Sequence, residues 1–189
     1  MNFIQGPQPM VRTLALLLLT VFAMTLQSCV GSGGGLNSYV DTYAGYEFRY
    51  PTGWVEVEVP GAADVVFHDI VNETENVSVV ISEVPEGKDL EDLGTPTEVG
   101  YKLSKSFNTL ISDDTNVELV NAQRIDTVDN KAYYILEYVA DLPSGVRHNL
   151  ASAIVRRGKL YTFNASTPAD RWEKIKDLMK QSVASFKVT

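Results

Sequence analysis

Residues 147–166 read RHNLASAIVRRGKLYTFNAS, and the Arg157-Gly158 step at their centre decides how the chain is arranged. On either side lie runs rich in small, β-branched and aromatic residues. Two such runs joined by a two-residue step ending in glycine predict a tight antiparallel hairpin. Arg147 to Arg156 and Lys159 to Ser166 are then paired strands, with Arg156 opposite Lys159. Counting outward from that pair places His148 opposite Thr167, with Asp170 just beyond.

The pattern continues upstream. Val117 to Val128 and Lys131 to Ala140 flank Asp129-Asn130, a second expected two-residue turn, and Leu142-Pro-Ser-Gly145 leads into the hairpin above. In the Lys131–Ala140 run, Tyr134, Leu136 and Tyr138 share one face, and Tyr133, Ile135 and Val139 share the other. A strand apolar on both faces belongs to a sheet covered on both sides. Tyr46 to Tyr50 and Trp54 to Val59 alternate around a turn at Pro51-Thr-Gly53. Val65 to Val71 and Val77 to Val84 flank the polar Asn72-Glu-Thr-Glu-Asn76.

The cover is expected from two helices. Thr95-Pro-Thr-Glu98 sets a capping residue, a proline in the first helical position and an acid three after the cap. Val99, Leu103, Phe107 and Leu110 follow on one face. Thr167-Pro-Ala-Asp170 has the same form, and Trp172, Ile175, Leu178, Met179 and Phe186 line a face behind it. The expected fold class is therefore α+β: a mostly antiparallel β-sheet sandwiched between helices, in one domain over residues 39–189.

The start of the chain reads differently. Arg12 is the only charged side chain before Asp41, and Leu14 to Leu26 is almost wholly apolar. A membrane-spanning helix needs about 20 residues, and this run is shorter, the length of a signal-peptide core. Leu26-Gln-Ser-Cys29 resembles a bacterial lipobox. The expectation is a signal peptide over residues 1–28, lipidation of Cys29 through its sulfur, and a flexible glycine-rich tether over residues 29–38. A plain signal peptide or an uncleaved anchor are the alternatives. A net charge of −8 with no basic stripe excludes a nucleic-acid partner.

Chemistry-bearing motifs are few. There is no nucleophile elbow, no zinc-protease helix motif and no phosphate-binding glycine loop, so the chain is read as non-enzymatic. Asp113-Asp114-Thr-Asn116 lacks the spacing of a calcium loop and reads as a solvated turn. His68-Asp69 is a poor pair, because neighbours on a strand point to opposite faces. Three N-x-S/T triplets, starting at Asn72, Asn76 and Asn164, are read as chance. His148 and Asp170 are the candidate metal ligands. An imidazole and a carboxylate suit zinc, manganese or calcium bound weakly, with water completing the shell, and no cofactor is required. The alternative is that Asp170 caps its helix and His148 is an ordinary edge residue.

Several stretches resemble the PsbP family, extrinsic lumenal proteins of photosystem II. They are Tyr46-Glu-Phe-Arg-Tyr-Pro-Thr-Gly-Trp54, Ala63 to Phe67, Asn76 to Val79, Asp92 to Pro96 with Glu98-Val-Gly100, Tyr133-Tyr134, His148 to Ala151, Gly158-Lys-Leu-Tyr161, Arg171-Trp172 and Ser185 to Val188. The resemblance implies an α-β-α sandwich of the PsbP/Mog1 type. It implies a metal site at His148 and Asp170, although this chain carries one extra residue between them. With the lipobox, it implies a lipid-anchored protein on the lumenal side of the thylakoid membrane. Its implied partners are reaction-centre subunits, and its role is in assembly or stabilisation of the complex and its oxygen-evolving side. The long N-terminal segment with which plant members retain calcium and chloride is reduced here to Val30–Ser38. The alternative function is a lipid-tethered divalent-metal or small-ligand binding module.

Overall fold

The computed structural model describes residues 35–61, 63–111 and 115–189. Cys29 and its leader, the Asp113-Asp114 turn, and the side chains of Phe107 and Leu110 lie outside the described residues. Ten strands and two helices follow in the order β1 (Leu36–Asp41), β2 (Tyr46–Pro51), β3 (Trp54–Val57), β4 (Val65–Asp69), β5 (Asn76–Glu83), α1 (Pro96–Ile111), β6 (Asn116–Asp126), β7 (Ala132–Leu142), β8 (Gly145–Arg156), β9 (Lys159–Pro168), α2 (Trp172–Ala184) and β10 (Lys187–Val188). Seven strands form one antiparallel sheet in the order β3-β4-β5-β9-β8-β7-β6.

The hairpin at Arg157-Gly158 has the expected register. Arg156 faces Lys159 and His148 faces Thr167. Both turn residues have positive φ, 52° and 72°, the backbone that a two-residue turn matched to the sheet's twist requires. The turn between β6 and β7 differs from expectation. The Thr127 N–H donates to the Lys131 carbonyl across three loop residues, and Asn130 takes the left-handed conformation at φ 57°. A three-residue loop of this kind closes on a left-handed residue, a position asparagine tolerates.

The sheet is covered on both faces. On one side, Tyr134, Leu136, Tyr138, Ala151 and Val155 pack with Val99, Leu90 and the half-buried Leu103. Here α1 lies on β6 and β7. Its start is a capping box, in which the Thr95 N–H donates to Glu98 Oε2 at 2.8 Å and the Glu98 N–H donates to Thr95 Oγ1 at 3.3 Å. On the other side, α2 packs on β8, β9 and β2 and buries Met179 and Val183. Phe163, Val77, Val79 and Leu136 are fully buried, each worth about 1.5–3 kcal/mol in transfer free energy.

The runs on either side of Pro51-Thr-Gly53 belong to different sheets, and two expectations are corrected. β2 lies between β1 and β10 in a separate three-stranded sheet, while β3 pairs with β4. Pro51-Thr-Gly53 carries the chain from one sheet to the other, which places Tyr46 and Phe48 over Phe163 and Phe186. Leu36-Asn-Ser38, assigned to the tether, pairs with Arg49-Tyr-Pro51 as β1. The second helix starts at Trp172, because Thr167 and Pro168 still belong to β9 and Ala169–Arg171 form a single 3-10 turn.

Candidate functional site

His148 and Asp170 were the residues to locate. Along β8, alternate side chains face opposite sides of the sheet, and His148 shares the α2 side with Leu150 and Ile154. Its imidazole lies flat on the indole of Trp172, with ring centroids 3.7 Å apart and planes 10° from parallel. Its Nε2 meets Glu137 Oε1 at 2.6 Å. Only 13% of the histidine side chain and 23% of the glutamate are exposed. The short polar contact is therefore shielded from water by an aromatic lid.

Asp170 is exposed in the 3-10 turn that precedes α2. The carboxylate that engages His148 is thus Glu137, a residue the sequence reading did not single out. The β7–β8 register explains the pairing. Val139 faces His148 and Glu137 faces Leu150, so Glu137 stands diagonal to the histidine on the same face. The available signal was a single acid at an inward position otherwise filled by Tyr133, Ile135 and Val139. Asp170 makes no capping hydrogen bond, so the alternative reading of it as a helix cap does not hold either.

A second polar assembly adjoins this one. Glu75, in the turn between β4 and β5, is completely buried. Its Oε1 accepts from Arg171 Nε and, at 3.1 Å, from the Thr167 hydroxyl. The Glu75 carboxylate pushes the Arg171 guanidinium above its usual range. This contact is why Thr167 does not cap the helix. The same turn is closed by Asp69, which accepts from the Val71 N–H at 2.8 Å and from Asn72 Nδ2 at 3.0 Å. Burial opposes the charge on Asp69, yet these donors and Arg171 hold its carboxyl below the usual range. His68 Nδ1 lies 3.3 Å from the Glu73 carbonyl, so neighbouring His68 and Asp69 perform separate tasks in one turn.

The donor set bears on metal binding. Among the described residues, no three histidine, cysteine, aspartate or glutamate side chains converge as a metal-binding group. His148 offers one imidazole nitrogen already in contact with a carboxylate, and an ion there would take the place of that contact. Among the described residues this is not a closed structural metal site. The Glu137–His148–Trp172 stack ties β7, β8 and the start of α2 together, and the Glu75–Arg171 pair ties the β4–β5 turn to the same corner.

The comparisons with known proteins follow this architecture. The PsbP family model matches residues 34–188. The chain is 46% identical over 175 residues to CyanoP of Thermosynechococcus vestitus, covering 90% of this chain and 94% of that protein. It is 45% identical over 181 residues to CyanoP of Synechocystis sp., covering 93% and 96%. The solution structure of CyanoP from Synechocystis superposes with a TM-score of 0.72 at 47% identity, over 87% of this chain and 99% of that one. The Saccharomyces cerevisiae Ran-binding protein Mog1p shares the fold alone, with a TM-score of 0.55 at 11% identity over 82% of this chain and 96% of that one. The sheet, the two helices and the corner built on His148 and Arg171 therefore lie within one continuous region of similarity, and the chain belongs to the PsbP family.

Proposed function

We propose that this chain is a non-enzymatic extrinsic protein of photosystem II. It sits lipid-anchored on the lumenal side of the thylakoid membrane and assists assembly or stabilisation of the complex. The observation that carries this reading is similarity over 90% of the chain to a cyanobacterial member of the same family. The anchor gives it a physical form. Only Val30–Gly35 separates Cys29 from β1. At about 3.5 Å per extended residue, the domain stays within about 20 Å of the lipid. Such a leash holds it against membrane-embedded subunits and leaves little reach into the lumen.

Affinity capture of the tagged, lipidated chain from detergent-solubilised thylakoids tests the proposal. Recovery with reaction-centre subunits lacking the full antenna supports an assembly role. Recovery with mature oxygen-evolving complexes supports a stabilising subunit. Recovery of neither overturns the reading.

A second reading is a tethered module for zinc, manganese or calcium at His148 with Asp170, in which the ion would displace the Glu137–His148 contact. Calorimetry with each ion decides it. Binding heat that disappears in His148→Ala supports the module, and heat that is absent or unchanged removes it.

A further inference from the structure

The residue before His148 points the other way. Arg147 lies on the α1 side of β8, beside Asn149 two positions on; on β9, Ser166 faces Asn149 and Asn164 faces Ala151 on the same side. These four polar side chains share the α1 face of the sheet. They form one wall of a cavity of about 230 Å³, whose other wall includes Tyr138 and Leu142. We propose that this cavity binds a carboxylate group carried on a short apolar body.

Arg147 is half-buried, and its hydrogen bonds go to neutral acceptors. Nε and Nη2 donate to the Ser166 hydroxyl at 3.0 and 2.8 Å, and Nη2 also donates to the Thr74 carbonyl. No carboxylate lies within ion-pair distance of it among the described residues, since Glu75 pairs with Arg171. Withdrawing a guanidinium from water is costly, and burial pushes this one below its usual range although the Glu75 charge opposes the shift. Its Nη1 and the side-chain amides of Asn149 and Asn164 make no hydrogen bond among the described residues, although all three residues line the cavity. The site thus holds one positioned cation, two free amides and an apolar wall.

These features choose the ligand class. The free Nη1 of a charged guanidinium donates well to a carboxylate oxygen, and the two amides supply further donors. A single cation on a chain of net charge −8 suits a monoanion better than a dianion. Tyr138 and Leu142 suit a few carbons, and the volume is below that of a site for a drug-sized molecule. The carboxylate has two possible sources, a free small organic acid or the C-terminus of a polypeptide. The site lies on the sheet face opposite to His148 and does not rest on the photosystem reading.

The test uses the full chain in detergent, with ¹H–¹⁵N spectra recorded during titration with sodium isobutyrate. Isobutyramide and sodium chloride serve as controls. The expected result is saturable shifts centred on Tyr138, Asn149 and Asn164, absent with both controls and weakened at least about tenfold in Arg147→Gln. Asn164→Leu, which leaves the Arg147 anchors in place, should weaken binding as well and serves if Arg147→Gln does not fold. A tetrapeptide with a free C-terminal carboxylate is compared with its amide. Tighter binding of the free-acid peptide than of isobutyrate supports a polypeptide terminus, and binding of isobutyrate alone supports a free acid. The absence of saturable shifts, an equal response to isobutyramide or chloride, or unchanged affinity in the variants overturns the proposal.

Discussion

Replacing Arg171 by leucine tests whether the buried Glu75 carboxylate organises its corner of the molecule. Glu75 is fully buried and Arg171 is 28% exposed. In Arg171→Leu, the carboxylate keeps the Thr167 hydroxyl on Oε1 but loses its counter-ion. Removing one partner of a buried pair costs about 3–5 kcal/mol, because the remaining charge is stranded. The partial exposure of Arg171 places the expected loss at the lower end, about 3 kcal/mol. In a domain of this size, 1 kcal/mol moves Tm by about 2–4 °C, so the midpoint should fall by about 6–12 °C. The double variant Glu75→Leu/Arg171→Leu removes both charges, and apolar replacement of a buried pair is often close to neutral. At least half of the loss should return. Urea unfolding followed by tryptophan fluorescence and circular dichroism measures both, with the m-value checking that compactness is unchanged. If Arg171→Leu stays within about 0.5 kcal/mol of the parent, or the double variant loses the sum of both single losses, the pair does not organise this corner.

Leu136 is fully buried, so Leu136→Ala should lower stability by about 2–5 kcal/mol and shift the urea midpoint at constant m. Thr95→Ala should cost about 1 kcal/mol by opening the cap of α1, seen as faster amide exchange in its first turn. Donation from the Thr95 N–H and hydroxyl holds the Glu98 carboxyl below its ordinary value of 4.5. The contribution of Glu98 is therefore fully present above pH 4.5 and is lost as pH falls through the lower folded value; in Glu98→Gln that acid-side slope should vanish from a stability profile. Cys29→Ser should move the protein from the membrane pellet to the soluble fraction, and continued sedimentation with membranes would contradict the lipid anchor.

What the sequence made legible was local. The Arg157-Gly158 step set the register of β8 and β9, and Thr95-Pro-Thr-Glu98 marked the start of α1, because each depends on residues a few positions apart. The two-faced pattern of Tyr133–Tyr138 foretold a sheet covered on both sides. What escaped depended on distant partners. Tyr46–Pro51 alternates like a neighbour of Trp54, but its partners are Leu36–Asp41 and Lys187-Val188. Thr167 has the local form of a cap, but a glutamate 92 positions earlier takes its hydroxyl. His148 lies opposite Thr167 as the hairpin register predicts, while its carboxylate partner comes from the neighbouring strand β7. The carboxylate cavity was invisible for a related reason. Arg147, Asn149, Asn164 and Ser166 read as ordinary strand polarity until both registers set them on one face.

The three-stranded sheet has a consequence for the order in which the molecule is completed. β2 is held between β1 and β10, so the first and last strands of the domain flank the same segment. Val188 is fully buried, its N–H donates to the Tyr133 hydroxyl, and its carbonyl accepts from Lys131 Nζ at 2.9 Å. Pairing between Tyr46 and Val188 joins residues separated by almost the whole domain, a slow kind of closure to reach. A chain emerging from a ribosome or a translocon cannot seal this core until Lys187-Val188 has arrived. The aromatic centre around Tyr46 and Phe186 is therefore closed late in synthesis, and loss of Lys187-Val188 leaves it open at one edge.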